Sequence, residues 1–419
     1  MEKWIKFNNS KLLYPLLLIN LPSVQEATLN EEQLVTPWDV QGAVHEGKNV
    51  GIDYDKLIVQ FGCQPLTPAL IERFEKLVGQ KAHTFIRRGI FFSHRDFSRI
   101  LDQYEQKKPI YLYTGRGPSS ESMHLGHMVP FIVCKYLQDV FDCHLVIQMT
   151  DDEKFLWKNL TLQETKQFAR ENAKDIIAVG FNPEKTFIFV DSDYFGYMYD
   201  TVLRVQKCIN FNQASSVFGF NASDSIGKIA FPATEIAPAY PSAFRHIFGE
   251  NKDVLCLIPC AIDQDPYFRL ARDVASRLGF HKPASIYSIF FPALQGSSSK
   301  MSSSAENTAV FMTDSAGQIK NKINKYAFSG GRDTLEEHRK HGGDPEVDVA
   351  FQYLKFFLDD DEELETISRE YKKGNLLTGE LKKRCIDVLQ AFVANFQENR
   401  AKITPILMEK FMAMPERQK

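Results

Sequence analysis

Between Ile110 and Phe291 the chain switches repeatedly between two hydrophobic periods. Short apolar runs at Ile110–Thr114, Leu145–Thr150, Thr186–Val190, Val254–Ile258 and Ile286–Phe290 have the length and composition of buried strands. Between them apolar positions recur three and four apart. Leu125, Met128, Val129, Ile132, Val133, Tyr136, Leu137 and Val140 trace one helix face. Thr161 and Glu164 form a capping box for a helix to Val179, helices with glycine and proline breaks run from Tyr194 to about Phe248, and another spans Tyr267–Leu278. This order predicts an α/β fold with a parallel sheet and right-handed crossovers. Ligands of such sheets bind beyond the carboxyl ends of the strands. That rule singles out Tyr113, Gln148, Glu153, the segment Ala261–Tyr267 and Gln295.

The flanks read differently. Val35–Val50 suggests a short hairpin, Leu66–Gly79 a helix opened by Thr67-Pro68, and Arg87–Gln106 a second apolar periodicity through Phe91, Phe97, Ile100, Leu101 and Tyr104. From about Asp314 strand signals fade. Val347–Leu358, Glu362–Lys373 and Thr378–Phe396, the last with Thr378 as cap, are helical in pattern, and Gly330-Gly331 and Gly342-Gly343 mark breaks. The pattern divides the chain into an extension (1–34), a preface of hairpin and helices (35–109), an α/β domain (110–312) and a helical domain (313–419).

Composition narrows this modestly. A hydrophobic share of 44% suffices for a sizeable core, and a net charge of −3 removes any global polycationic signature, so nucleic acid would have to meet a local surface. The 7 cysteines form no C-x-x-C pair and read as reduced thiols. No apolar run approaches the length of a membrane span. Leu12–Leu21 follows three lysines as a leader would, yet Pro15 interrupts it and no small-residue cleavage site follows, so a tail is expected.

The chemistry concentrates in Tyr113–Phe131. A strand enters a turn of Gly115, Arg116, Gly117 and Pro118, and Ser119, Ser120 and Glu121 suit a helix start. His124 and His127 are three apart on one side of that helix, with Gly126 between them leaving the backbone open to a flat ligand. Pro130 cannot donate to the Gly126 carbonyl, which loosens the helix at that point. Helix-start N–H groups favour phosphate, so the stretch reads as a nucleotide triphosphate site with two imidazoles aimed at the phosphates. The dinucleotide fingerprint fails because its third glycine would fall at Ser120. Far downstream, Gly296–Ser304 carries Lys300 among six serines, which suits either a flexible linker or a mobile phosphate clamp.

H-L-G-H at 124–127 with K-M-S-S-S at 300–304 resembles the paired signatures of class I aminoacyl-tRNA synthetases. T-G-R-G-P-S-S-E-S-M-H-L-G-H, V-I-Q-M-T-D-D-E-K, C-A-I-D-Q-D-P-Y-F-R and F-F-P-A-L-Q-G are similar to the tryptophan-specific, cytoplasmic, eukaryotic branch, over about Val35 to Phe411. The resemblance implies a Rossmann-like catalytic domain, a C-terminal helical domain that binds the tRNA anticodon, and a homodimer in the cytoplasm without membrane attachment. It implies ATP, with Mg²⁺ carried by the nucleotide and no metal held by the protein, and L-tryptophan and tRNA(Trp) as further substrates.

By the same resemblance His124, His127, Lys300 and Arg116 are catalytic. Gly115, Gly117, Gly126, Met301, Ser302 and Ser304 join His124, His127 and Lys300 in holding ATP. Tyr113 and Gln148 receive the indole nitrogen, Glu153 and Gln264 the substrate ammonium, and Gln295 belongs to the same pocket. Ser303 stands where the general class pattern has a second lysine, which shifts clamping onto Lys300 and Arg116. The hairpin at Val35–Val50 resembles one that folds over the nucleotide. The implied activity is ATP-dependent attachment of tryptophan to tRNA through an adenylate. A tyrosyl enzyme, a small-molecule nucleotidyltransferase using the H-x-G-H site, and a catalytically silent RNA-binding or signalling protein remain as alternatives.

Overall fold

The computed structural model describes residues 33–45, 48–49, 51–300 and 308–416. The apolar run Leu12–Leu21 and Met301, Ser302, Ser303 and Ser304 therefore lie outside the described residues. Seven strands form the central sheet: β1 (Gln64–Pro65), β2 (Phe91–Arg95), β3 (Ile110–Arg116), β4 (His144–Met149), β5 (Thr186–Val190), β6 (Leu255–Ala261) and β7 (Ala284–Ser288). Their order is β1-β2-β7-β6-β3-β4-β5. The five strands from β7 to β5 are parallel, as the pattern predicts, with β3 paired to β4 from Tyr111↔His144 to Arg116↔Met149. Strand order reverses between β3 and β6, and the crevice beyond their carboxyl ends is where a doubly wound sheet takes its ligand.

Two edge strands depart from the parallel expectation. β2 runs antiparallel to β7, and β1 antiparallel to β2. The apolar periodicity of Arg87–Gln106 is thus a strand followed by the helix Phe97–Glu105. Polar residues in β2 hide the strand from a hydrophobic scan, and two of them are paired, Arg95 across the fold and His94 locally. Arg95 pairs with the fully buried Asp265 at 2.7 Å, and His94 Nδ1 accepts from Phe97 N at 3.2 Å.

Helices α1 (Leu125–Phe141), α2 (Asp151–Trp157), α3 (Leu162–Ile177), α4 (Asp191–Cys208), α5 (Ile226–Ile236) and α6 (Asp265–Leu278) flank the sheet. α1 opens later than the serines suggest. His124, not Ser119 or Ser120, is the N-cap, and its own backbone is extended. His124 bridges Phe311, and Leu125 N donates to Val310 O at 3.0 Å. A tertiary pairing thereby overrides good local capping residues.

The tail packs as helices Ala316–Tyr326, Leu335–His341, Val349–Phe357, Asp361–Lys372, Thr378–Ala401 and Pro405–Met412. Thr378 is not a cap; Leu377 takes that place, its N–H bonding the Glu380 carboxylate at 2.8 Å. These helices share one core with the sheet. Phe291 packs tilted against Tyr353 and edge-on against Phe356, and the Tyr353 hydroxyl donates to Pro292 O at 3.0 Å. The foot of the Lys300 segment therefore stands on tail helix Val349–Phe357. No helix among the described residues is long and apolar enough to cross a membrane.

Candidate active site

A cavity of about 250 Å³ opens at the β3/β6 crevice. One wall comes from β3 and the start of α1: Thr114, Gly115, Arg116, Gly117, His124, Gly126 and His127. The imidazoles of His124 and His127 stack with ring centroids 3.5 Å apart and planes within 19°. His127 Nδ1 accepts from His124 N at 3.3 Å, which fixes the second ring against the helix start. The amides are less open to a ligand than the sequence suggests. Leu125 N–H goes to Val310, and His127 N–H returns to His124 O at 2.9 Å.

Glycine at 126 has a steric cause. A Cβ there would sit 3.1 Å from Phe291 Cβ and 3.2 Å from the His124 ring. At Gly117 it would lie 2.6 Å from Glu153 Oε2. Arg116 gives its Nε–H to Asn172 Oδ1 at 3.0 Å, while its Nη2, shut off from solvent, has no partner among the described residues. Burial holds this guanidinium down to about 10, against the opposing pull of Glu153 and Asp175. A buried donor left over on a cavity wall suits an anionic oxygen.

The opposite side is aromatic and acidic. Phe231 and Glu235 of α5, Asp263, Gln264, Tyr267 and Phe268 after β6, and Phe290 and Phe291 after β7 line it. Glu153, at the start of α2, accepts from the Thr150 hydroxyl at 2.9 Å and pairs with Lys154 at 2.9 Å. Burial pushes the Glu235 carboxyl up to about 8, with Glu153 and Asp152 adding repulsion. Tyr267 closes the segment Ala261–Tyr267 that the sequence singles out, whereas Glu235 escaped that reading. The available signal was a lone acid in the otherwise apolar stretch Ile229–Ala239.

Beneath this side lies a closed polar floor. Tyr113 and Gln148 are fully buried and do not line the cavity. The Tyr113 hydroxyl lies 2.5 Å from Gln148 Oε1 and 2.6 Å from Glu235 O. Gly115, whose Cβ would stand 3.7 Å from Gln148 O, separates the floor from the open space.

Other candidates fall at the rim. Gln295 occupies the exposed turn between the strands Pro292–Ala293 and Gly296–Lys300 and does not line the cavity. The Lys300 backbone pairs with Pro292, and the chain re-emerges at Thr308 to bond Leu294 N at 3.0 Å before meeting His124. One end of the segment carrying Lys300 is thus fixed beside His124 through Val310 and Phe311, and the other is paired to Pro292, next to the Phe291 that faces Gly126. The expected hairpin forms as Leu34–Val35 against Val40–Gln41, followed by Val44–His45 against Lys48–Asn49. Its Pro37 reaches the cavity, and Trp38 stacks on Trp157 at 5.3 Å beside Phe218, Phe220 and Tyr267.

Residues 105–394 match the family described as tRNA synthetases class I (W and Y). The chain is 62% identical over 384 residues to the cytoplasmic tryptophan–tRNA ligase of Schizosaccharomyces pombe, covering 91% of this chain and 97% of that one. The human cytoplasmic tryptophan–tRNA ligase is 57% identical over 390 residues, covering 92% and 82%. This chain belongs to the tryptophan–tRNA ligase family. Among solved structures, the tryptophanyl-tRNA synthetase of Encephalitozoon cuniculi bound to tryptophan superposes with a TM-score of 0.81 at 49% identity, covering 87% of this chain and 98% of that one. The Rossmann-like catalytic core implied by the paired motifs is therefore the fold of this tryptophan–tRNA ligase relative.

Proposed function

We propose that the chain attaches L-tryptophan to tRNA(Trp) in the cytoplasm, through a tryptophanyl-adenylate formed from ATP with release of pyrophosphate. One observation carries the reading. A single cavity at the switch point joins a histidine–glycine wall suited to phosphates to an aromatic, acidic side suited to an amino acid with an indole ring. The names of the relatives favour tryptophan over the tyrosyl alternative, and their close similarity over most of the chain disfavours the nucleotidyltransferase and silent-protein readings.

The roles follow from the chemistry. His124, His127, Arg116 and Lys300, with the backbone at Gly115, Gly117, Gly126, Met301, Ser302 and Ser304, hold the triphosphate in line for attack. The tryptophan carboxylate is itself the nucleophile, so the protein need not supply one. Glu153 and Gln264 take the ammonium, Tyr113 and Gln148 the indole N–H, and Gln295 arrives with the Lys300 segment. The phosphate wall offers nitrogen donors, which do not suit a hard Mg²⁺ ion. That ion would ride on phosphate oxygens and water and offset pyrophosphate charge. The helical domain 313–419 is assigned to the anticodon and the assembly to a homodimer. Amino-acid-dependent pyrophosphate exchange across all twenty amino acids tests the reading: tryptophan alone should support rapid exchange, and exchange with tyrosine instead, or with none, would overturn it.

A further inference from the structure

The floor beneath the cavity contains a residue that no role above uses. Asp191 is the first residue of α4, where β5 ends, and it is fully buried. Gln148 Nε2 donates to both its carboxylate oxygens, at 2.9 Å each, and lies 3.4 Å from Thr234 O. On the far side Asp152 hydrogen-bonds the same carboxyl, while the neighbouring Asp151 is engaged by Ser192 N at 3.1 Å and by the Ser192 hydroxyl.

A primary amide has two ends, one donor and one acceptor, and packing alone does not choose between them. Here the two Asp191 oxygens and the Thr234 carbonyl each accept from the Gln148 nitrogen, and the proton that joins the Asp191 and Asp152 carboxyls lies on their far side. The oxygen is consequently turned toward Tyr113, whose one hydroxyl proton lies between two acceptors, Gln148 Oε1 and Glu235 O. Around the Tyr113 hydroxyl there is one proton fewer than the acceptors call for. An N–H arriving from a ligand would supply it.

We propose that Asp191 is a positioning residue for amino-acid selection: it locks the Gln148 amide with its oxygen toward Tyr113, so that a substrate with an indole N–H is preferred. This rests on the tryptophan reading above. A site built around a hydrogen bond strongly rejects the analogue lacking it, because its buried groups are then left unpaired. Without Asp191 the amide is free to turn, and the preference fades.

The test is pyrophosphate exchange with tryptophan and with 3-(1-benzothiophen-3-yl)alanine, which has the same shape with sulfur in place of N–H. Wild-type protein should prefer tryptophan in kcat/KM by about 10²-fold or more. Asp191→Leu should cut that ratio at least about tenfold and raise the KM for tryptophan, leaving the KM for ATP within about twofold. A ratio unchanged in Asp191→Leu would overturn the inference, whereas wild-type protein without tryptophan-dependent exchange would instead overturn the functional reading beneath it. If Asp191→Leu does not fold, an exchanged pair decides. Gln148→Glu alone sets two carboxylates face to face and should lose the preference. Adding Asp191→Asn restores a donor–acceptor match at nearly constant volume and should recover much of it. No recovery would again sink the proposal.

Discussion

The two sides of the cavity are built on opposite plans. Apart from Lys300, the phosphate wall comes from fewer than twenty consecutive residues and keeps a buried guanidinium N–H with no partner among the described residues. The floor draws Tyr113, Gln148, Asp191 and Glu235 from β3, β4, the end of β5 and α5, and links them in one hydrogen-bonded chain. The wall is local and waits for charge from outside. The floor is long-range and set in place before any substrate arrives. A highly charged ligand can complete a sparse site by itself, whereas selecting one ring N–H requires dipoles fixed in advance.

The largest effect should come from the wall. Lys300→Ala is expected to slow adenylate formation by about 10²-fold or more, since its charge would meet the transition state. Pyrophosphate exchange at the wild-type rate would remove the lysine from the wall. Next comes the floor. Gln148→Ala breaks a buried chain at its centre and should raise the KM for tryptophan about tenfold or more, with far less change in that for ATP. Equal changes in both would mean that wall and floor are not separate. A smaller loss should follow Gly126→Ala, whose methyl presses on Phe291 and the His124 ring by a few tenths of an ångström. We expect kcat to fall about tenfold while tryptophan binding, measured by calorimetry, holds.

The subtlest prediction concerns pH. Glu235 ionises near 8 in the folded chain, against an ordinary value of 4.5. Between these values the folded chain holds a proton that the unfolded chain has lost. Its contribution to stability is therefore fully present below about 4.5 and disappears as pH rises through about 8. Glu235→Gln should match wild type near pH 4.5 and gain in Tm relative to it by pH 8. A Tm difference that does not vary with pH would place the Glu235 carboxyl in water rather than at the buried edge of the floor.

Legibility in the sequence follows the same division. Elements whose stability is local were readable: Thr67-Pro68 opening the helix Pro68–Val78, Thr161 and Glu164 capping α3, and the strand Thr186–Val190. Buried polar positions were not. β2 was obscured because it carries Ser93, His94 and Arg95, the last paired with Asp265 far along the chain, and the start of α1 was misplaced because Phe311 bridges His124 and Val310 accepts from Leu125 N. Glu235 and Asp191 escaped for a related reason. An isolated acid gains a role from what faces it, and facing is not a property of sequence.

By itself the sequence determined the alternating α/β order, the histidine–glycine wall and the family that its motifs announce, because each depends on neighbours a few residues apart. Tertiary structure alone decided that the chain following the Lys300 segment pairs with His124 at Phe311, and that Asp191 turns Gln148 toward Tyr113. Those arrangements rest on hydrogen bonds and packing between strands and helices distant in the chain, whose geometry exists only once the sheet has closed.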